Sequence, residues 1–141
     1  VIKARTKFME LTIQYISEKD IVEVKAIGLI TTENIRNASS RTIAYSKDKK
    51  CTKLLINIWE CIVSRSMMDG FLDMENFMEL TGVGLEYKCA VFFNSSNYFA
   101  ERASFIETVV RNRPNPRFRM FSDRDESIRW LNDKMPSGGK N

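Results

Sequence analysis

Residues 57–71, NIWECIVSRSMMDGF, bring together the side chains best suited to chemistry in this sequence. Cys61 follows Glu60, and Ser64 and Ser66 flank Arg65. A thiol turns nucleophilic only where something lowers its pKa, and here a helix terminus or Arg65 would have to do so. The chain has no histidine, which removes His triads, His metal ligands and the commonest general base near neutral pH. A buried, inert thiol is the simpler reading of Cys61. Ser66 has Asp69 three residues later, the spacing of a capping box, so it can cap a following helix for about 1 kcal/mol. The alternative is that Ser64 or Ser66 is a phosphoacceptor. A phosphate at a helix N-terminus is electrostatically favoured, and Arg65 could pair with it.

A second polar group, Asn94, Ser95, Ser96 and Asn97, follows the apolar run KCAVFF. If both runs are parallel strands, Glu60, Arg65 and these four residues leave neighbouring carboxyl ends, where open α/β sheets bind ligands. Two helix N-termini there would favour a small anionic ligand. The same residues serve equally well as caps and turns. Glu60, Asp69 and Asp73 match no cation-loop spacing, so no metal site is expected, and no cofactor motif occurs.

Positioning such groups requires a framework, and the periodicity supplies one. ELTIQYI (10–16) and IVEVKAI (21–27) alternate with period two and read as a hairpin around the turn SEKD, with Gly28 ending the second strand. Thr31 or Thr32 caps a helix running to about Lys47, with Ile35, Ala38, Thr42 and Tyr45 on one face. KLLINIW (53–59) is apolar enough for a central strand covered on both faces. A helix follows over 67–80, and TGVGLE ends it. KCAVFF (88–93) is a further buried strand. Phe99, Ala103, Ile106 and Val110 mark a helix capped by Asn97 and ended by Pro114 and Pro116. RFRMF (117–121) is a short strand, and Ser122 with Asp125 reads as the start of a last helix whose inner face holds Ile128 and Leu131.

The order ββαβαβαβα predicts an α/β fold: one domain with a mixed, mostly parallel sheet and helices packed on it. The domain is expected over 9–135, with 136–141 a flexible tail. Met9 stands where an initiator would, so residues 1–8 are read as a peripheral segment, upstream of or foreign to the domain.

The C-terminal third, FIETVVRNRPNPRFRMFSDRDESIRWL (105–131), resembles the end of the bacterial SpoIIAA-like group within the STAS-like superfamily. There a helix ending near RNRG leads to a strand reading vRvF, and an acidic capped helix ending eAlaWL closes the domain. Phe118, Met120 and Phe121 hold the strand positions, and Ser127, Ile128, Trp130 and Leu131 those of the closing helix. KCAVFF resembles that group's kvAvv strand, and NIWE its DmRe segment. The resemblance implies a STAS-like fold and a non-enzymatic protein that binds protein partners, as anti-sigma-factor antagonists and transporter STAS domains do. Some relatives carry a switchable serine, preceded by Asp, at the helix start after the third strand. Ser64 and Ser66 lie near that place, but neither has an Asp before it.

The helix over 67–80 is rich in Met and Phe. Residues 67, 71, 74 and 78 make one face for the sheet, leaving Met68, Leu72 and Phe77 toward the flank as a candidate partner surface. A homodimer is one form that contact could take. A net charge of +4 is mild, and the basic groups at 47–53 and 111–119 lack interleaved aromatics, so no nucleic acid is expected. No run approaches the roughly 20 apolar residues of a membrane span. Three cysteines at unmotivated spacings suit a reducing cytoplasm.

Overall fold

A computed structural model describes residues 1–5, 8–63, 84, 86–94 and 118–133. The elements in these residues are β1 (Ile2–Arg5), β2 (Met9–Ile16), β3 (Ile21–Ile30), α1 (Thr32–Lys49), β4 (Lys53–Val63), β5 (Lys88–Phe92), β6 (Phe118–Phe121) and α2 (Arg124–Asn132). The strands form one sheet in the order β1-β2-β3-β4-β5-β6. β1, β2 and β3 pair antiparallel, whereas β3, β4, β5 and β6 run parallel. The expected mixed, mostly parallel α/β sheet is therefore present. The helices expected over 67–80 and after Asn97 lie outside the described residues.

Part of the segment read as peripheral is paired into the sheet. Ile2–Arg5 is an edge strand, with Ile2 opposite Ile13 and Arg5 opposite Glu10. Its alternation is only four residues long, too short to stand out in sequence, yet Ile2 and Ala4 extend the apolar face of β2. The Arg5 and Glu10 side chains pair on the opposite face.

Gly28 does not end β3, which continues to Ile30. Its φ of +123° and its packing against the chain at Phe8 are why glycine is needed there: a Cβ would overlap the Phe8 carbonyl oxygen. That oxygen accepts the Leu29 N–H at 3.0 Å, locking the start of β2 against the end of β3.

α1 begins where expected. The Thr31 hydroxyl accepts the Asn34 N–H at 3.0 Å, and the Asn34 side chain donates to the Leu29 carbonyl at 2.9 Å, pinning the helix start to β3. The helix runs two residues past Lys47 and closes at Lys50 in a left-handed conformation, without glycine. Its apolar stripe packs on the face of the sheet carrying Leu11, Ile13, Val24, Leu54, Val91 and Met120. Two hydroxyls fix its roll: Tyr45 accepts the Tyr15 N–H at 3.1 Å, and Ser46 lies 3.0 Å from the Tyr87 hydroxyl.

α2 covers the opposite face through Leu131, which packs with Ile21, Leu55, Ala90 and Phe121. Its N-cap is Asp123, not Ser122; the Asp123 carboxylate accepts the Asp125 N–H at 3.2 Å. Adjacent residues that both cap well leave a one-residue ambiguity in sequence. A bidentate pair, Arg124 Nη1 and Nη2 to Glu23 at 2.5 and 2.6 Å, ties the first turn of α2 to β3.

Candidate functional site

β4 lies between two parallel neighbours, and its carboxyl end carries a bulge. Lys25 is opposite Asn57, but Ile27 is opposite Glu60, so two steps along β3 match three along β4. The inward series Leu54, Ile56, Ile58 consequently resumes at Cys61, not at residue 60. Asn57 holds the bulge. Its Oδ1 accepts the Trp59 N–H at 3.1 Å, and its Nδ2 donates to Glu23 at 3.5 Å.

The bulge decides which side chains face outward. Trp59, 36% exposed, stacks on Phe92 with centroids 4.8 Å apart and planes at 19°. Ile62 is 65% exposed. Glu60 is exposed and lies 3.7 Å from the Lys25 ammonium, a surface pair of small energetic value. Cys61 turns inward, and its thiol donates to the Ala26 carbonyl at 3.3 Å. Burial pushes that thiol up to about 12, so it stays protonated near neutral pH and is no nucleophile there. Cys51 and Cys89 are also buried free thiols raised by desolvation.

Of the candidate ligand, phosphoacceptor and partner-surface residues, Glu60 and Asn94 are described. β5 runs parallel beside β4, with Asn57 opposite Phe92, and Asn94 follows two residues later, half-buried. Glu60 thus lies within β4 near its carboxyl end, and Asn94 just past the carboxyl end of β5. Ser64, Arg65, Ser66, Ser95, Ser96 and Asn97 lie outside the described residues, as do Met68, Leu72 and Phe77. Among the described residues, no three His, Cys, Asp or Glu side chains are grouped to hold a metal ion.

Sequence reading passed over Asn57, Glu23, Arg124 and Lys88. Asn57 offered one signal, a lone amide inside an otherwise apolar strand. Glu23 and Arg124 are 101 residues apart and only the fold pairs them. Between α1 and the sheet lies an apolar cavity of about 110 Å³, lined by residues such as Leu11, Val24, Ala38 and Ile56. Thr42 also lines it, but its hydroxyl donates to the Ala38 carbonyl at 2.7 Å.

Two solved structures share this architecture. An anti-sigma factor antagonist from Mycobacterium paratuberculosis superposes with a TM-score of 0.59 at 13% identity, covering 89% of this chain and 95% of its own. An uncharacterized protein with a SpoIIAA-like fold from Shewanella loihica PV-4 gives 0.54 at 18% identity, covering 93% and 99%. The chain has the SpoIIAA-like fold. At these identities the likeness lies in the backbone arrangement. Neither a protein-family model nor a curated protein matches the sequence.

In this SpoIIAA-like sheet the exit of β4 is an aromatic and aliphatic edge with one compensated charge pair. Among the described residues there, the Cys61 thiol is held protonated by burial. Among the described residues no helix is long and apolar enough to cross a membrane.

Proposed function

We propose that this chain is a non-enzymatic regulatory domain of the cytoplasm that binds a protein partner through the exit of β4, the loop after it and the helix expected over 67–80. The observation carrying this reading is the pair of exposed apolar residues, Trp59 and Ile62, at the point where β4 runs into that loop. Aromatic and aliphatic groups in such a position are typical interface anchors. The lack of histidine and the protonated Cys61 thiol further support a binding role. The likeness to an anti-sigma factor antagonist, whose name describes a protein acting on another protein, points the same way. Met68, Leu72 and Phe77 supply the helix part of the surface, and Ser64 or Ser66 is the residue whose phosphorylation would switch it, by adding charge beside Arg65.

The test is crosslinking in the native host, with partners identified by mass spectrometry for the wild-type chain and a Met68→Glu/Phe77→Glu variant. Loss of a reproducible partner in the folded variant is expected; retention of the same partner would refute the surface. Intact-mass measurement of the chain from its host under varied growth conditions should find phosphate on Ser64 or Ser66. Its consistent absence would refute the switch.

A further inference from the structure

The two ends of α2 are tied down by different groups. At its C-terminal end the Lys88 ammonium gathers backbone carbonyls. At its start Arg124 grips Glu23 with both Nη atoms. That second tie lies beside the bulge in β4. Glu23 is opposite Leu55 and Lys25 is opposite Asn57, so Glu23 and Asn57 sit diagonally across adjacent strands. Both share the sheet face of Ile21 and Leu55, which α2 covers.

A polar chain runs through these residues, and each link fixes the next. Glu23 Oε2, held by Arg124, also accepts from Asn57 Nδ2 at 3.5 Å, and Asn57 Oδ1 accepts the Trp59 N–H at 3.1 Å. A primary amide has donors at one end and an acceptor at the other. Asn57 can take up the N–H freed by the bulge only with Oδ1 toward Trp59, which turns Nδ2 toward β3. A carboxylate there favours that orientation, whereas a donor would oppose it. At 3.5 Å this link is near the limit of a hydrogen bond, so it depends on where Glu23 is held. The Glu23 side chain is 15% exposed and that of Arg124 40%. A carboxylate so covered stays in place while paired and turns to water once its partner is removed. The two-pronged contact with a planar guanidinium fixes its rotamer. We propose that Arg124 and Glu23 are positioning residues for the β4 exit: through Asn57 they hold the bulge that presents Trp59 and Ile62, so the docking of the start of α2 and the shape of that edge are coupled. Use of the edge by a partner rests on the function proposed above. The coupling itself is a property of the free chain and is read without a partner.

Hydrogen exchange of the full chain, followed by NMR at the Trp59 amide, tests this. The amide of the fully buried Leu54 in the same strand reports global stability alongside it. Arg124→Met should lower Trp59 protection at least about fivefold, the weight of one net hydrogen bond. Asn57→Ala should lower it as much, and the double variant no further than either alone. Lys88→Met, which loosens the far end of α2, should leave Trp59 protection within about twofold of wild type. Circular dichroism checks that each variant folds. Should Arg124→Met not fold, Arg124→Lys keeps the charge without the two-pronged contact and should lower Trp59 protection in the same direction. The inference is overturned if the Arg124 variant leaves Trp59 protection unchanged, if its effect adds fully to that of Asn57→Ala, or if Lys88→Met lowers protection equally. Loss at Trp59 as expected, with no partner crosslinked, sinks the binding reading and leaves the coupling standing.

Discussion

Lys88 is the most informative residue to perturb, because it is a cation placed where a sheet residue should be apolar. It opens β5 and is only 4% exposed. Its ammonium donates to the carbonyls of Trp130 at 2.5 Å and Asp133 at 2.9 Å, with Leu131 at 3.5 Å, and lies 4.6 Å from the centre of the Trp130 ring. These carbonyls close the C-terminal end of α2, where backbone acceptors lack helical partners and the helix dipole is negative. A helix of nine residues is not stable alone and depends on its docking. Lys88→Met keeps the length of the side chain and removes the donor. The Trp130 carbonyl retains the Asp133 N–H at 3.2 Å, so the loss falls mainly on Leu131 and Asp133. Charge-assisted hydrogen bonds contribute about 1.5–3 kcal/mol, and the contact with the indole about 1 kcal/mol more. Burial of the Met side chain offsets part of this, on the order of 1 kcal/mol after its rotamer cost. The net expectation is a destabilisation of about 1.5–3 kcal/mol, or about 5–12 °C in Tm for a chain of this size. The chain has two tryptophans, so a Trp59→Phe background leaves Trp130 as the single fluorescent probe of the docked helix. Urea unfolding in that background, with and without Lys88→Met, measures the difference. Because the site is buried, added salt should leave it largely unchanged. A difference below about 0.5 kcal/mol would refute the view that Lys88 anchors α2.

Gly28→Ala should cost about 2–4 kcal/mol by urea unfolding. Backbone strain at φ +123° and disruption of the Leu29 bond to the Phe8 carbonyl both contribute; a loss under about 1 kcal/mol would mean the chain at Phe8 yields easily. The buried thiols predict alkaline sensitivity. In the unfolded chain they ionise near the ordinary 9.0, but burial holds Cys61 and Cys89 up at about 12 in the fold. The native state then binds more protons between those values. Stability should be flat with respect to these groups below about pH 8, and fall above pH 9 by up to about 1.4 kcal/mol per pH unit per thiol. Urea titrations in reductant at rising pH should show a shallower decline for Cys61→Ala and Cys89→Ala than for wild type. Equal slopes would refute it.

Much of the framework was legible because it rests on local signals. The alternation of ELTIQYI and IVEVKAI specified the hairpin, Thr31 the start of α1, and the apolar runs at 53–59 and 88–93 the parallel core. What escaped depends on partners distant in sequence. β1 is a strand only because β2 offers it an edge, and four residues carry too little periodicity to announce that. Lys88 looks misplaced in an apolar strand until the end of α2, more than 40 residues on, supplies its acceptors. Glu23 reads as one solvated position on a polar face until Arg124 arrives from the last helix. Around the candidate site, what was legible is the parallel pairing of β4 and β5, which puts Glu60 and Asn94 toward the carboxyl ends of neighbouring strands.

The bulge in β4 carries the link from sequence to surface. With unbroken alternation after Leu54, Ile56 and Ile58, residues 60 and 62 would face the α1 side and Cys61 the other. Glu60 would then be a carboxylate in an apolar core, which is costly without a buried partner. One extra residue reverses the parity: Cys61 enters the core, and Glu60 moves out to Lys25. Ile62 moves out with it, although a β-branched apolar residue would by composition alone be assigned to the core. The exposure of Ile62 is thus a consequence of register. It is held by Asn57, which takes up the N–H that the bulge releases at Trp59. A strand that only needed to fill the sheet could have kept its parity by placing an apolar residue at 60. Instead the chain retains an amide inside the strand and an isoleucine outside it. A contact at the β4 exit, as proposed above, would give that arrangement a use that the packing of the sheet does not.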